Sequence, residues 1–523
     1  MDTTNSTAGI TTGYQSYGQT FSEKIIKNTA YNIFGRAWGI IVILILTPYI
    51  IGHIGVERYG IWALVGVLTG FFGLLDFGIG ESFIKYIAEF YTKRDYKKIN
   101  QVINTGIIFY SILVALIIAL TFFIINPLLI FLNIPQELYN EASFVFLLGI
   151  IIFSISNILS GFGAIQSGLQ RMDITNKVAI AVSIPMVIGT VYFLESGYGL
   201  PGLMINNAII FAISSLINIV IAFKILPELK FRPFLFFSKE MFKKLFGFGY
   251  KIQVSKIASL IHFHIDKILL AYFLKIGFVT YYAVAANLTS KAREIPLLLI
   301  LAIFPAASEL EAKTDKESLY KLYFRSMKYV ALIALPISLS VILLADPFMN
   351  LWLGKGYGRS VLTVQILIVG YFFNIITGPG FFILNGIGKP QYGMKSSILA
   401  AVLNLTLSIV LVTRIGYFGV VIGTTTSMII AAGYFISMFH QIMNVSLWKT
   451  FLRIFLKPFV ASIIPFGIIY FFINQIAQVG WFSLIFLGAL YLTLFILMIL
   501  IVRYLDDFDK SLIKKYSVIW LFK

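Results

Sequence analysis

Charged side chains occur in a stretch of the sequence that otherwise reads as two membrane-spanning helices. Residues 248–305 are largely apolar, yet they contain Lys251, Lys256, Asp266, Lys267, Lys291, Arg293 and Glu294. A charged side chain at the centre of a bilayer costs at least about 2.5 kcal/mol, so helices surrounded by lipid would exclude most of these residues. We therefore expect this stretch to line a polar, water-accessible space.

The charges within all predicted spans have a positive excess. The basic residues are Arg36, Lys251, Lys256, Lys267, Lys291 and Arg293, and the acidic residues are Asp76, Asp266 and Glu294. Their balance is about +3, and Arg and Lys can replace the hydration and the counter-ions of a phosphate group. The pattern predicts a cationic cavity for an anionic cargo, with the substrate-binding residues Arg36, Lys251, Lys256, Lys291 and Arg293.

Some of these residues have a second interpretation. Arg36 and Lys256 stand at equivalent points of an internal repeat, which favours a cavity role over snorkelling of their long side chains to the lipid headgroups. Lys251 is nearer a helix end, so both roles remain open for it. Asp76 is predicted either to bind a coupling ion, H⁺ or Na⁺, or to act as counter-ion to a cavity arginine.

The charges of the seventh and eighth predicted spans also allow pairing. Lys291 and Glu294 are three positions apart and share a helix face, so an ion pair between them would leave Arg293 available. Asp266 and Lys267 lie toward the outer end of their span, where two roles remain open for them, a structural one as partners of other helices and a functional one. Together with Asp76, the residues Asp266, Lys267 and Glu294 are the predicted supporting or ion-coupling groups.

Other site chemistries do not fit the sequence. His262 and His264 are two positions apart, so on a helix they point about 200° apart and cannot ligate one metal. The chain has no cysteine, which excludes disulfides and thiolate metal sites. Its glycine-rich runs lack the Gly-Lys-Ser/Thr ending of a phosphate loop, so no ATP hydrolysis is expected, and neither are other cofactors. Basic-aromatic arrays that would indicate nucleic-acid binding are also missing.

The composition requires a polytopic membrane protein. Of 523 residues, 59% are hydrophobic and only 12% are charged, which no soluble globular domain approaches. A span needs about 20 mostly apolar residues, and fourteen segments meet this requirement. Their approximate centres are Ile40, Val67, Val114, Ile152, Met186, Ile210, Ile257, Leu298, Leu335, Ile368, Leu405, Ser427, Ile464 and Ile485.

The loops between these spans differ in basic residues on the two sides. If the N-terminus is inside, the inner segments hold 30 Lys and Arg residues and the outer loops hold five. Cytoplasmic loops keep such an excess, so we predict a multi-pass protein of the cell membrane with both termini in the cytoplasm. The formal charge of +18 is thereby explained by topology.

Short internal matches predict two lobes of six spans each. Residues 54–59 resemble 276–281, residues 161–163 resemble 378–380, and residues 197–198 resemble 416–417, at offsets of 217 to 222. Because six is even, the lobes insert in the same direction and are related by a pseudo-two-fold axis along the membrane normal. The predicted regions are a disordered cytoplasmic tail (1–23), an N-lobe (24–226), a cytoplasmic linker (227–244), a C-lobe (245–442), two further spans (443–503) and a basic cytoplasmic tail (504–523).

Three local sequences give the chain a family resemblance. They are the run from Tyr-Gly-Ile-Trp at 59–62 to Asp-Phe-Gly-Ile-Gly at 76–80, Asp-Lys-Ile-Leu-Leu at 266–270 and Tyr-Tyr-Ala-Val-Ala at 281–285. With the six, six and two arrangement of spans, residues 24–503 resemble the polysaccharide flippases of the multidrug/oligosaccharidyl-lipid/polysaccharide exporter superfamily. The resemblance implies a V-shaped pair of lobes, alternating access, and transfer of a polyprenyl-diphosphate-linked sugar or oligosaccharide to the outer leaflet.

Three functions fit these features to different degrees. A lipid-linked oligosaccharide flippase fits best, because its diphosphate cargo needs a surplus of fixed positive charge. A multidrug or cation antiporter would favour a cavity of the opposite sign. A polysaccharide polymerase or ligase is expected to carry a large outer catalytic loop, whereas the longest outer loops here, near 126–142 and 345–360, have the size of simple connections. The expected partners are therefore the lipid-linked glycan, membrane lipids and enzymes of glycan assembly.

Overall fold

The computed structural model describes residues 8–300, 303–476 and 479–511. Within these ranges the side chains of residues 8–34, 36, 250–252, 254–256, 258–259, 299 and 449 are not described. The described part contains helices and no β-strand, in agreement with the prediction of an all-α membrane protein. This outcome is expected for a chain in lipid, because a helix satisfies its own backbone hydrogen bonds.

The helices follow one another with short connections. They are α1 Ala8–Phe72, α2 Ile79–Thr92, α3 Tyr96–Phe131, α4 Tyr139–Gly168, α5 Met172–Glu195, α6 Gly199–Ile225, α7 Pro233–Phe236, α8 Lys239–Phe273, α9 Ile276–Ile300, α10 Ile303–Ala312, α11 Lys316–Leu353, α12 Gly358–Gly386, α13 Gln391–Ile415, α14 Tyr417–Met443, α15 Leu447–Ile473 and α16 Trp481–Ile501. Short 3₁₀ turns cover Gly73–Asp76 and Gln136–Leu138.

Twelve helical segments of the described chain are long and apolar enough to cross a membrane. This count takes residues 37–76 as one segment, although Gly55 has a non-helical backbone (φ 79°, ψ 172°) where two helices meet inside α1. It also omits α8, which has 35 residues and carries eight charged side chains. The predicted count of fourteen spans includes both features and stays a prediction.

The helices form two compact units, residues 1–257 and 258–523. In the first unit, Phe83, Ile103, Tyr110 and Phe162 are buried together, and Leu245 of α8 joins them. In the second unit, the buried residues include Tyr323, Ile375, Phe435 and Phe439, which α11, α12 and α14 contribute. Each unit therefore has an apolar core of its own.

The connection between α6 and α8 is fixed to α3 by two asparagine side chains. Asn100 Nδ2 donates to the carbonyl of Glu228 (2.9 Å), and Asn100 Oδ1 accepts from the backbone N–H of Lys230 (2.6 Å). Asn104 repeats the pattern with the carbonyl of Lys230 (2.8 Å) and the N–H of Arg232 (2.9 Å). Both side chains are buried. This segment, which the sequence assigned to an inter-lobe linker, thus packs as part of the first unit.

Two predicted boundaries differ from the structure. The units divide between Ile257 and Ala258, inside α8, and not at residue 245, because the first turns of α8 bury Met241 and Leu245 in the core of the first unit. Helix α1 begins at Ala8, where a disordered tail to residue 23 was predicted. The polar composition of this segment indicated a disordered tail, although apolar residues occur in it at helical spacing, at positions 10, 14, 17 and 21. Residues 1–7 and 512–523 of the predicted tails lie outside the described part.

Candidate cationic binding site

The predicted site residues are divided between the two units. Arg36, Lys251 and Lys256 belong to the first unit, and their side chains lie outside the described part of the structure. Asp76 belongs to the same unit. The remaining predicted residues, Asp266, Lys267, Lys291, Arg293 and Glu294, all belong to the second unit.

Asp76 lies at a break in the second predicted span. Helix α1 ends at Phe72, a 3₁₀ turn follows to Asp76, and Phe77 (φ 51°) and Gly78 (φ 72°) then take left-handed conformations before α2 begins. Tyr110 donates its hydroxyl hydrogen to Asp76 Oδ1, and the backbone N–H of Gly80 donates to the same oxygen at 3.2 Å. Breaks of this kind leave backbone groups without partners in their own helix, and they are typical of transporter binding sites.

Helix α8 covers this break at very close range. A Cβ atom built on Gly249 would lie 2.4 Å from the carbonyl oxygen of Phe77, and one built on Gly78 would lie 2.2 Å from the carbonyl oxygen of Gly249. Gln253 donates a hydrogen bond to the carbonyl of Leu74, and Ser82 Oγ donates to the carbonyl of Leu245 at 2.8 Å. The two glycines therefore allow α8 to come close enough to donate to the carbonyl of Leu74 and to accept from Ser82 of α2.

In the second unit, Lys291 and Glu294 of α9 form the ion pair that their spacing predicts, and Arg293 stays outside it. Lys291 Nζ lies 2.8 Å from Glu294 Oε1, so this pair neutralises itself. Arg293 has a different environment: its Nε donates to Asn374 Oδ1 at 2.8 Å. Its guanidinium lies over the rings of Phe263 (5.1 Å) and Tyr371 (5.8 Å). No carboxylate of the described chain lies within 4 Å of it, and its remaining N–H donors keep their binding capacity.

Arg293 lines a cavity of about 260 Å³ inside the second unit. The cavity wall also contains His262, Asn374, Ser396 and Ser397, with aromatic rings from Phe263, Phe381, Phe382 and Phe435. Such a wall combines one fixed positive charge, several hydrogen-bonding groups and flat apolar surfaces. This combination suits an anionic group that is attached to a sugar.

Asp266 occupies a buried polar cluster formed by α8, α9, α13 and α14. Its side chain is fully buried, Tyr282 donates to Oδ2, and the side chains of Asn404 and Thr424 lie beside the carboxylate. Oδ1 has no hydrogen-bond partner among the described atoms, which is unusual for a buried oxygen. Lys267, next in sequence, is partly buried, and no described carboxylate lies within 4 Å of its ammonium group.

Neutral oxygen atoms surround the same cluster. Ser408 Oγ and Thr424 Oγ1 both donate to Asn404 Oδ1, at 2.8 and 3.1 Å, and Thr424 Oγ1 also reaches the carbonyl of Val420 at 2.9 Å. Asn404 Nδ2 donates to the carbonyl of His262 at 2.9 Å. Asp266 and the cavity residue Arg293 belong to the same unit. No group of three or more His, Cys, Asp or Glu residues in the described ranges could hold a metal ion.

The sequence did not single out the partners of these charged groups. Asn374 and Asn404 each interrupt an apolar run, and an amide within a membrane span is costly unless it has a partner. That cost is the signal that could have found them. The roles of Phe263 and Tyr371 had no such signal, because aromatic residues are common throughout this chain.

The comparisons with known proteins agree on one fold. The lipid II flippase MurJ, in an inward-closed conformation, superposes with a TM-score of 0.70 at 18% identity, covering 93% of this chain and all of that one. An inward-facing multidrug resistance MATE family transporter of the MOP superfamily gives a TM-score of 0.65 at 17% identity, over 80% of this chain and 94% of that one. The chain thus has the fold of the multidrug/oligosaccharidyl-lipid/polysaccharide exporter superfamily.

The sequence comparisons identify the family of the chain. A putative O-antigen transporter of Shigella flexneri is 23% identical over 413 residues, which cover 78% of this chain and 96% of that protein. Residues 54–362 match the family described as polysaccharide biosynthesis protein. The chain belongs to this polysaccharide biosynthesis family, and the predicted resemblance to polysaccharide flippases is confirmed.

Proposed function

We propose that this membrane protein is a flippase that moves a polyprenyl-diphosphate-linked sugar or oligosaccharide from the cytoplasmic to the outer leaflet. The observation that carries the proposal is the environment of Arg293. Its guanidinium is held by Asn374 and two aromatic rings without a neutralising carboxylate among the described residues. A cation fixed in this way binds phosphate oxygens with little loss of side-chain entropy.

The cavity around Arg293 defines which part of the substrate it would receive. Its volume of about 260 Å³ is below the ~300–1,000 Å³ of sites for drug-sized ligands. It therefore suits a phosphate group with the first sugar, and the rest of the glycan would lie outside it. The polyprenyl tail would remain in lipid, and alternating access would expose the headgroup first to one side of the membrane and then to the other.

The fold is shared with multidrug transporters, so charge is the feature that favours a lipid-linked glycan. An antiporter for organic cations needs carboxylates that face its cavity, whereas the described wall presents a guanidinium. The family match to polysaccharide biosynthesis proteins and the O-antigen transporter relative support the same choice. A polymerase or ligase is not supported by either comparison.

A transport assay with defined substrates tests the proposal. The chain would be reconstituted in vesicles, and transfer of a fluorescent polyprenyl-diphosphate glycan between leaflets would be measured against a fluorescent organic cation. Arg293→Ala should weaken substrate binding roughly 10- to 100-fold, the value of a charge-assisted hydrogen bond, and Arg293→Lys should restore it only in part. Arg36→Ala and Lys256→Ala should also reduce transport.

Arg414→Ala is the matched control, since this arginine is exposed and does not line the cavity. It should transport like the parent protein. Normal transport by Arg293→Ala would remove the cavity from the mechanism. Movement of the organic cation without movement of the glycan would overturn the function itself.

We also propose that a monovalent cation, H⁺ or Na⁺, drives the cycle by binding at Asp266. The Oδ1 atom of this buried carboxylate has no hydrogen-bond partner among the described atoms, and the side chains of Asn404 and Thr424 lie beside the carboxylate, so the site offers the oxygen atoms that a proton or a sodium ion prefers. Asp266 and Arg293 belong to the same unit of the protein. A change of charge at the acid would thereby alter the field at the substrate-binding guanidinium.

The coupling proposal can be tested with imposed proton and sodium gradients. Asp266→Asn keeps the shape of the side chain and removes its charge, so transport should lose its dependence on the driving gradient. Asp76→Asn, tested beside it, should change substrate affinity and keep the ion dependence if Asp76 is only a counter-ion. Transport by the parent protein that ignores both gradients would refute ion coupling.

A further inference from the structure

A second basic concavity lies on the second unit, outside the site described above. It has a volume of about 1140 Å³ and is formed by the first turns of α11, the beginning of α15 and the segment that follows α16. Its basic residues are Lys316, Lys321, Arg325, Lys328, Arg453 and Lys457. Only two carboxylates, Glu317 and Asp506, belong to the same described wall. We call this surface the basic groove.

Two of the six cations are neutralised by neighbouring acids. Lys328 Nζ lies 3.0 Å from Asp506 Oδ2 and also pairs with Asp509. Lys321 Nζ lies 2.6 Å from Glu317 Oε1. These pairs hold the segment after α16 against α11 and leave the other four cations for a ligand.

The other four cations keep their charge. Within the described ranges no carboxylate lies within 4 Å of Lys316, Arg325, Arg453 or Lys457. Two of them rest on aromatic rings: the Arg325 guanidinium lies 3.7 Å from the ring centre of Phe508 and that of Arg453 lies 5.9 Å from Phe324. The groove therefore presents four cations without a neighbouring carboxylate, and with the paired groups Lys321, Lys328, Glu317, Asp506 and Asp509 its net charge is about +3.

Apolar side chains alternate with these cations along α15. Leu452 precedes Arg453 and Leu456 precedes Lys457, and the two leucines are 37% and 47% exposed while they line the same groove. Beyond the groove, α11 continues as an apolar helix that is long enough to cross a membrane. The surface thus changes from cationic to apolar over a short distance, as at the border between headgroups and acyl chains.

We propose that the basic groove binds the headgroup of an anionic glycerophospholipid, such as phosphatidylglycerol or cardiolipin, in the leaflet that the charge distribution predicts to be cytoplasmic. Basic pockets between membrane helices on this side recognise such headgroups. The phosphate would contact Arg453, Lys457 and Arg325, and an acyl chain would extend along Leu452 and Leu456. This site is separate from Arg293 and does not depend on which glycan is transported.

The chain's own C-terminal residues are a poor alternative occupant. Residues 512–523 contain Lys514, Lys515 and Lys523 and no acidic side chain, so their charge repels them from the groove. A soluble nucleotide is also disfavoured, because the chain lacks a phosphate loop and the exposed leucines offer nothing to a polar ligand. An amphiphilic anion matches both the charge and the apolar wall.

Native mass spectrometry of the full-length chain, purified in a neutral detergent, would test the proposal. The protein would be titrated with phosphatidylglycerol, phosphatidylcholine, glycerol 1-phosphate and a polyprenyl diphosphate. Arg453→Gln/Lys457→Gln should lower the affinity for phosphatidylglycerol roughly 30-fold, about fivefold for each cation removed. Arg453→Lys/Lys457→Arg should keep the binding, which separates loss of charge from loss of fold.

The matched control is Lys389→Gln/Lys395→Gln, which removes two exposed cations from another segment predicted to be cytoplasmic. It should bind phosphatidylglycerol like the parent protein, and added salt should weaken the binding in both. Equal losses in the control and in the groove variant would overturn the proposal. The proposal would also be overturned if phosphatidylcholine or glycerol 1-phosphate bound with the same affinity as phosphatidylglycerol. Binding of the polyprenyl diphosphate without binding of phosphatidylglycerol would overturn it too.

Discussion

Alanine substitutions at two glycines of α8 would show how much the close packing at the helix break contributes to stability. Gly247 and Gly249 are two positions apart in the same helix. A Cβ atom at position 247 would meet nothing within 4 Å, whereas one at position 249 would lie 2.4 Å from the carbonyl oxygen of Phe77. The first substitution by alanine therefore changes only helix propensity, and the second also forces two backbones apart.

The expected free energies of unfolding follow from these surroundings. Alanine is favoured over glycine in a helix interior by up to about 1 kcal/mol, so Gly247→Ala should stabilise the protein slightly. Gly249→Ala gains the same amount but overfills a packed contact, at a cost of roughly 1–3 kcal/mol. The displaced helix would also weaken the hydrogen bonds from Gln253 to the carbonyl of Leu74 and from Ser82 to the carbonyl of Leu245, each worth about 1 kcal/mol.

The two variants should differ by roughly 2–5 kcal/mol, with Gly249→Ala the less stable. Thermal unfolding in detergent, followed by intrinsic fluorescence, would measure the difference as a Tm separation of about 4–20 °C, since 1 kcal/mol corresponds to roughly 2–4 °C for a unit of this size. Gly78→Ala adds a left-handed backbone (φ 72°) to a similar clash and should be the least stable of the three. A Gly249→Ala protein that melts at or above the temperature of Gly247→Ala would refute the packing argument.

Three further predictions concern the loops and the termini. Asn100→Ala/Asn104→Ala removes the four hydrogen bonds that hold residues 228–232, so limited proteolysis should cut this segment much faster than in the parent; unchanged cutting would show that the asparagines do not fix it. The pKa of the Asp506 carboxyl is lowered from 3.8 to about 2, first by the backbone N–H of Asp509 and then by Lys328. Because this pKa is lower in the folded state, the ionised Asp506 carboxylate stabilises docking of the C-terminal segment fully above about pH 4, and this stabilisation is lost as the pH falls toward 2. Protease accessibility of residues 504–511 would report the loss. The same pH profile in Asp506→Asn would contradict this role. Topology reporters fused after residue 235 should score inside and those after residue 275 outside, and a reporter at 235 that scores outside would break the predicted arrangement of lobes.

The sequence predicted the features that depend on local pattern. Apolar runs located the helices, since a membrane span must be long and apolar. The three-residue spacing of Lys291 and Glu294 predicted their ion pair, which the structure contains at 2.8 Å. The same spacing predicted that Arg293 stays outside this ion pair and is available for a ligand.

Contacts between helices could not be obtained from these patterns. Arg293 and Asn374 are 81 positions apart, and their meeting depends on the rotation of α9 and α12, which hydrophobicity does not determine when helices are apolar on most sides. The same reason hid the Asp266 cluster, whose members come from four helices. The contact of Gly78 with Gly249 was equally inaccessible, because a glycine in a span is expected to serve close packing without an indication of its partner.

The division of the two units inside α8 has a consequence for biosynthesis. Helix α2 and the break beside it are covered by residues 241–253, so the first bundle cannot finish folding when its sixth span has left the ribosome. The first bundle must wait for the first half of α8, and the second half of the same helix contributes Asp266 to the other bundle. A gene split after residue 226 would yield an uncovered first fragment, and a split at the true border would cut through a helix. The two units must therefore be synthesised as one polypeptide, although each has a core of its own.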